Sequence, residues 1–291
     1  MASNAVWKRI NGRMANMQKL SKHLLAVAMG AALTAGSASI AAATPTFQIT
    51  PSVLGGPAGT KTADAINATT SELLTLIPGG VGVGGATGSG WVVATSFLLS
   101  SAPVGGTGLL GFYGIYITFS LSDVLTSGTV GAAGSNYALT SLNFSMFGDP
   151  GNDNTYTAAN AATVTNATVA DGGGGGGDKL LATGNLVVGV AGFDALDGAF
   201  LNSTETFNLT PFGSTFFTSP VPFFTLAFDE FNNTQQGVGV NLPFISINNA
   251  GGTFDFNKVP EPASVAVFGS GILALGWLVR RRKNERKSEI A

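Results

Sequence analysis

Along residues 44–258 apolar side chains return at every second position in short runs, and nowhere every three to four positions over the length of a helix. Runs rich in Val, Ile, Thr and Phe, punctuated by Gly, Asn, Asp and Pro, predict strands at 46–53, 71–77, 90–99, 112–121, 137–147, 163–169, 179–190, 204–209, 221–231 and 244–247. The alternation is clearest in two of them. Tyr113, Ile115, Ile117, Phe119 and Leu121 share one face, while Leu139, Ser141, Asn143 and Ser145 oppose Thr140, Leu142, Phe144 and Met146. Strands of this length and spacing predict an all-β domain, a single β-sandwich or jelly-roll-like ectodomain.

Two apolar segments at the chain ends break the pattern. A basic stretch from Lys19 to His23 leads into Leu24 to Leu33 and then into small residues up to Ala43, the plan of a secretory signal peptide. Ala41 and Ala43 offer the small side chains that signal peptidase accepts, which predicts cleavage after Ala43, with a cut after Ala41 as the alternative. At the other end, residues 263–279 are uncharged and reach the lower length limit for a bilayer span. Arg280, Arg281, Arg282 and Lys283 follow as a stop-transfer cluster that holds this end in the cytoplasm. Gly269, Gly271 and Gly276 suit a helix in lipid better than one in water. The expected organisation is a signal peptide at 1–43, an ectodomain at 44–258 and, within 259–291, a C-terminal transmembrane helix with a basic tail.

Charge changes the picture of what the ectodomain does. Only 10% of the chain is charged, and eleven of the fourteen Lys and Arg lie before residue 24 or after residue 279. The middle keeps Lys61, Lys179 and Lys258 against thirteen acids, a balance of about -10, which argues against nucleic acid or an anionic membrane surface as partner. There is no cysteine, the one histidine is His23, and no arginine lies between Arg13 and Arg280. The body therefore lacks the groups for a Ser-His-Asp or Cys-His nucleophile, a His or Cys zinc site or an arginine clamp for phosphate. A non-enzymatic role is expected. Carboxylate-pair or Ser-Lys chemistry remains as an enzymatic alternative, although the adjacent pair Asp229 and Glu230 points to opposite faces of a strand.

Three loops carry recognisable chemistry. Gly80 to Gly85 has dinucleotide-loop spacing, but the glycines that follow start no helix, so it reads as a connection. Six consecutive glycines at 172–177 predict a flexible loop. The stretch from Asp149 to Thr155 sets oxygen-bearing side chains at alternate positions, as calcium loops do, and makes Asp149 and Asp153 the candidate metal ligands, with calcium the one cofactor considered. An EF-hand does not fit, because its glycine falls at Asn154 and its bidentate glutamate at Asn160; an ordinary turn is the other reading.

Val259, Pro260, Glu261, Pro262, Ala263 and Ser264, then a short apolar stretch with glycines, then the Arg/Lys cluster, together resemble the PEP-CTERM sorting signal of Gram-negative bacteria. The tail differs in running on from Asn284 to Ala291. The resemblance implies export, transient anchoring in the inner membrane through residues 263–279 and processing near the Pro-Glu-Pro motif by an exosortase. Five segments, beginning at Ser71, Tyr137, Asp149, Gly189 and Thr225, further resemble the PEP-CTERM proteins associated with flocculation. That likeness implies a surface or matrix protein promoting cell aggregation and biofilm formation within an exopolysaccharide matrix. It transfers no catalytic or binding residue. A carbohydrate-binding adhesin is the alternative, with Trp91, Tyr113, Tyr116, Tyr137 and Tyr156 the only body residues suited to a sugar-stacking platform.

Overall fold

The computed structural model describes residues 45–257 except 174, 175 and 234. The expected signal peptide, two glycines of the 172–177 run, and the whole segment containing Val259, Pro260, Glu261, Pro262, the apolar stretch 263–279 and Arg280, Arg281, Arg282 and Lys283 lie outside the described residues. Among the described residues no helix is long and apolar enough to cross a membrane.

Eight antiparallel strands carry the fold: β1 (Ala65–Ile77), β2 (Gly85–Leu99), β3 (Tyr113–Ser127), β4 (Asn136–Pro150), β5 (Lys179–Phe193), β6 (Ala199–Thr206), β7 (Leu226–Asn232) and β8 (Phe244–Asn257). Each strand pairs with the next in sequence. β8 then returns to β1, in register from Phe244 opposite Thr75 to Asp255 opposite Ala65. The sheet closes on itself as an up-and-down barrel without a free edge. The all-β expectation holds, but the sandwich or jelly roll is corrected to a closed barrel. Sandwich and barrel strands alternate alike; what separates them is the β8–β1 pairing, which leaves no local mark in the sequence.

Some strand boundaries move for local reasons. The expected strand at 46–53 shortens to Phe47–Ile49, because Pro51 opens a 3-10 turn at Pro51–Leu54. The one at 221–231 starts only at Leu226, since Pro220 and Pro222 lack the amide hydrogen a ladder needs. The one at 163–169 is a turn followed by Thr168–Ala170.

The alternation sets the inside and the outside. Tyr113, Ile115, Ile117, Phe119 and Leu121 point into the barrel, as do Leu142, Phe144 and Met146 of β4. Leu139 joins them against strict alternation: a bulge sets Ser141 opposite Ser122 and Leu139 opposite Asp123, so Thr140 is an extra residue that reverses the phase. The outer wall is built of residues such as Thr75, Thr87, Ser89, Ser120, Asn143 and Asn185, all exposed. The wall is not uniform, for β5 also exposes Leu180, Val187, Val188 and Val190.

The two rims differ. Short connections at 78–84, 128–135, 194–198 and 233–243 form one; the long connections 100–112, 151–178 and 207–225 form the other. The long-loop rim is plugged by a three-stranded sheet, with Phe47–Ile49 between Lys61–Ala63 and Phe217–Ser219, and by the short helix Gly213–Phe216. The phenylalanines dense after residue 206 find their use here. Phe207 and Phe47 stand edge-on to Phe256 at ring separations of 4.8 and 5.0 Å, and Phe216, Phe217 and Phe256 are at most 2% exposed. Inside the wall, β5 places glycines under large facing groups. A Cβ at Gly184 overlaps the Phe144 ring and the Thr206 carbonyl, and one at Gly189 comes within 2.5 Å of Leu139.

These contacts set expected mutational costs. Phe207→Ala is expected to cost about 3–5 kcal/mol of stability by opening a cavity in the plug. Gly184→Ala is expected to cost about 1–3 kcal/mol by overpacking. Gly80→Ala, where an added Cβ meets nothing within 4 Å, should stay within about 0.5 kcal/mol of the parent. Urea denaturation of the exported protein checks all three.

Candidate functional site

The longest connection, 151–178, folds back over the outside of β1, β2 and β8. Trp91 Nε1 donates to the Thr157 carbonyl at 2.9 Å, Asn248 Nδ2 donates to the Ala159 carbonyl at 3.0 Å, and the Ala159 amide donates to Ser71 Oγ at 2.8 Å. Ala159 and Ala161 pack on Leu73, the outward leucine of β1. This strap brings together three of the five aromatic residues considered for sugar stacking. Tyr156 lies 5.4 Å from Trp91 and 5.9 Å from Tyr116, and Tyr116 stacks on Phe147 at 5.1 Å. Tyr113 and Tyr137 point into the barrel instead.

Asp149 and Asp153 sit at the base of the same strap. Asp149 is 1% exposed, and its carboxylate accepts from the Asp153 amide at 3.4 Å and the Asn154 amide at 3.2 Å. Burial raises the Asp149 carboxyl above its ordinary range, and these two amides offset part of the rise. Asn154 Nδ2 reaches both oxygens of Asp178, at 3.2 and 3.0 Å, and Tyr116 donates its hydroxyl to Asp178 at 2.5 Å. The acid run thus organises a turn from side chains and backbone amides, in the manner of an Asx turn. Among the described residues no group of three or more His, Cys, Asp or Glu is placed to hold a metal ion.

A second constellation lies inside the barrel, where a cavity of about 70 Å³ opens between apolar walls in the half toward the short-loop rim. Three acids line it: Glu72 on β1, Asp123 on β3 and Asp229 on β7. Glu205 of β6 stands close to Asp229. As expected, Asp229 and Glu230 face opposite ways, with Asp229 inside and Glu230 exposed. Glu72 and Asp229 are each 8% exposed and Glu205 is fully buried. Glu72 Oε2, Asp229 Oδ1 and both Glu205 oxygens have no hydrogen-bond partner, whereas Asp123 Oδ1 accepts from the Ala86 amide at 2.7 Å.

The physical cost of this arrangement appears in the proton affinities. Burial, helped by Asp123, lifts Glu72 from 4.5 to about 7. Burial lifts Asp123 to about 6 against the Ala86 amide. Glu205 rises to about 7 by burial; the Ser203 hydroxyl is near enough to offset a little of this, yet makes no bond of good geometry. Asp229 is raised well above its ordinary value by burial and then by the charges of Glu205 and Asp255. Of these acids only Asp229 stood out in the sequence, as half of the adjacent pair with Glu230, although phase marks Glu72 as well: Glu72 shares a face with Leu74 and Leu76, as Asp229 does with Ala227 and Phe231.

Each of these acids holds its proton more tightly folded than unfolded, so the protonated form stabilises the barrel. That contribution is complete below the unfolded value of about 4.5 and is lost as pH rises through about 7. A tenfold change in proton affinity is worth about 1.4 kcal/mol, so Glu72 alone contributes on the order of 3 kcal/mol. The melting temperature is expected to fall between about pH 4.5 and about pH 7.5, and Glu72→Gln to flatten that fall. Thermal melts of both proteins across this window check the expectation.

Comparison with known proteins adds one strong feature. No curated protein and no solved structure matches the chain. Residues 258–283 match the family model of the PEP-CTERM protein-sorting motif, beginning at the residue after the end of β8. The matched stretch contains Val259, Pro260, Glu261 and Pro262, the apolar run, and Arg280, Arg281, Arg282 and Lys283. The resemblance read from those residues therefore stands, and with it an exosortase as the processing partner and passage through a membrane-anchored stage before release. The chain is a PEP-CTERM sorting-signal protein, exported and sorted by an exosortase.

Proposed function

We propose that the barrel is a non-enzymatic surface or matrix protein of a Gram-negative bacterium that promotes flocculation and biofilm formation within extracellular polysaccharide. The observation that carries this reading is the sorting motif at 258–283, which directs the barrel out of the cell. Two features of the ectodomain support it. Its outer wall carries exposed Ser, Thr and Asn, and its body, with thirteen acids against three lysines, keeps a net negative charge that disfavours anionic membrane. A glycosidase reading has little room. The cavity that collects the carboxyls is about half the ~150 Å³ void that accepts benzene, too small for a pyranose ring between two acids.

A second reading, a carbohydrate-binding adhesin, is favoured by the cluster of Trp91, Tyr116 and Tyr156 beside Asp178 and Asn154, since sugar sites combine aromatic faces with carboxylate and amide groups. The two readings separate on a glycan array. Direct adhesion predicts saturable binding of the exported protein to matrix polysaccharide, reduced about tenfold or more by Trp91→Ala. An indirect structural role predicts no glycan signal.

The expected cellular outcome is loss of flocculation when the gene is deleted and its return when the full-length gene is restored. A chain ended at Lys258 should melt at the parent temperature, be released instead of anchored, and fail to restore flocculation. Unchanged flocculation in the deletion strain would overturn the proposal.

A further inference from the structure

Among the described residues no cation faces the three cavity acids. Of the three lysines in the body, Lys61 lies near Gly106 in the long-loop connection and Lys179 donates to the Gly176 carbonyl at 2.7 Å, both away from the cavity, while Lys258 is outside the described residues. The body holds no arginine or histidine. Yet Glu72 and Asp229, each more than nine-tenths buried, line the same space, and each keeps one carboxylate oxygen without a hydrogen-bond partner. An ionised carboxylate in such a place costs several kcal/mol unless something positive meets it. A metal ion is a poor match, because the acids are not grouped as a ligand set and the remaining walls are Leu74, Leu76, Ile117, Leu121 and Phe231. A primary ammonium is a good match. It donates three hydrogen bonds in directions that separate carboxylates can share, and an attached alkyl chain suits apolar walls. Phe231 and Phe144 line the same space and supply aromatic rings beside the acids.

We propose that the barrel interior is a binding site for a small organic cation, a primary ammonium on a short alkyl chain, received by the carboxylates of Glu72, Asp123 and Asp229. The volume of about 70 Å³ limits the ligand to a few heavy atoms. Glycine at Gly90, directly across the ladder from Glu72, keeps the wall beside that carboxylate clear of a side chain. Entry of the ammonium displaces the protons that otherwise neutralise the acids, so binding releases protons where the empty site holds them.

The test uses the purified exported protein and n-propylammonium chloride. Calorimetry at about pH 6, in two buffers of different ionisation heat, is expected to show one saturable site with proton release, and the melting temperature to rise with ligand concentration. n-Propanol, similar in size without the charge, and sodium chloride at the same concentration are expected to bind about tenfold more weakly or not at all. Glu72→Gln and Asp229→Asn, which keep the shape of the protonated acids, are each expected to weaken binding about tenfold or more. Amide shifts in NMR should move on β1, β3 and β7 and not on the 151–178 strap. Absence of a saturable site overturns the proposal and leaves protons or water as the sole occupants. Equal binding of propanol overturns it as well, as does unchanged binding in both variants. Should either variant fail to fold, the contrast between propylammonium and propanol on the parent protein decides alone.

Discussion

The pairing of β8 with β1 is the contact on which the rest of the molecule depends. Without it the remaining seven pairings make an open meander with two bare edges, no enclosed inside and no rim to plug. Asp255 must find Ala65 across nearly the whole described chain, so this pairing carries the largest loop-closure entropy of the eight. Once made, the pairing converts one face of every strand into core at a stroke. The phenylalanine plug then has a mouth to fill, and Phe47, far from Phe256 in sequence, becomes its edge-on neighbour.

Much of this was legible in the chain, and the gaps have physical causes. Alternation located most of the barrel strands and put the inward face of β3 in the right place, because a strand buried on one side writes its period directly into its residues. It failed at Leu139, where a bulge changed the phase, and at the extended reading of 221–231, where two prolines bar ladder pairing. Closure itself was invisible, since a barrel and a sandwich are written with the same two-residue period. The sorting segment was fully legible, because its parts are contiguous and work by composition.

The candidate sites divide along the same line. Asp149 and Asp153 lie close in sequence and were easy to single out, and the fold spends Asp149 on the amides of its own turn. Trp91, Tyr116 and Tyr156 were visible only as a short inventory, and it took the backward fold of 151–178 to bring them into contact. Glu205 and Asp229 are neighbours across the β6–β7 pair, whereas Glu72 and Asp123, on β1 and β3, come to face Asp229 only through closure. A core that is otherwise Phe, Leu, Ile and Ala tolerates them best while they hold their protons. Local rules are broken where a protein needs something other than stability, and these four positions are where this barrel breaks them most plainly.

The strand count has a topological consequence. In an up-and-down barrel each strand reverses direction, so an even number returns the chain to the rim from which it set out. Here the first described residues and the end of β8 lie together at the plugged rim. The points at which the described chain begins and ends therefore share one rim of the barrel, and a cut beyond either of them leaves the opposite rim untouched.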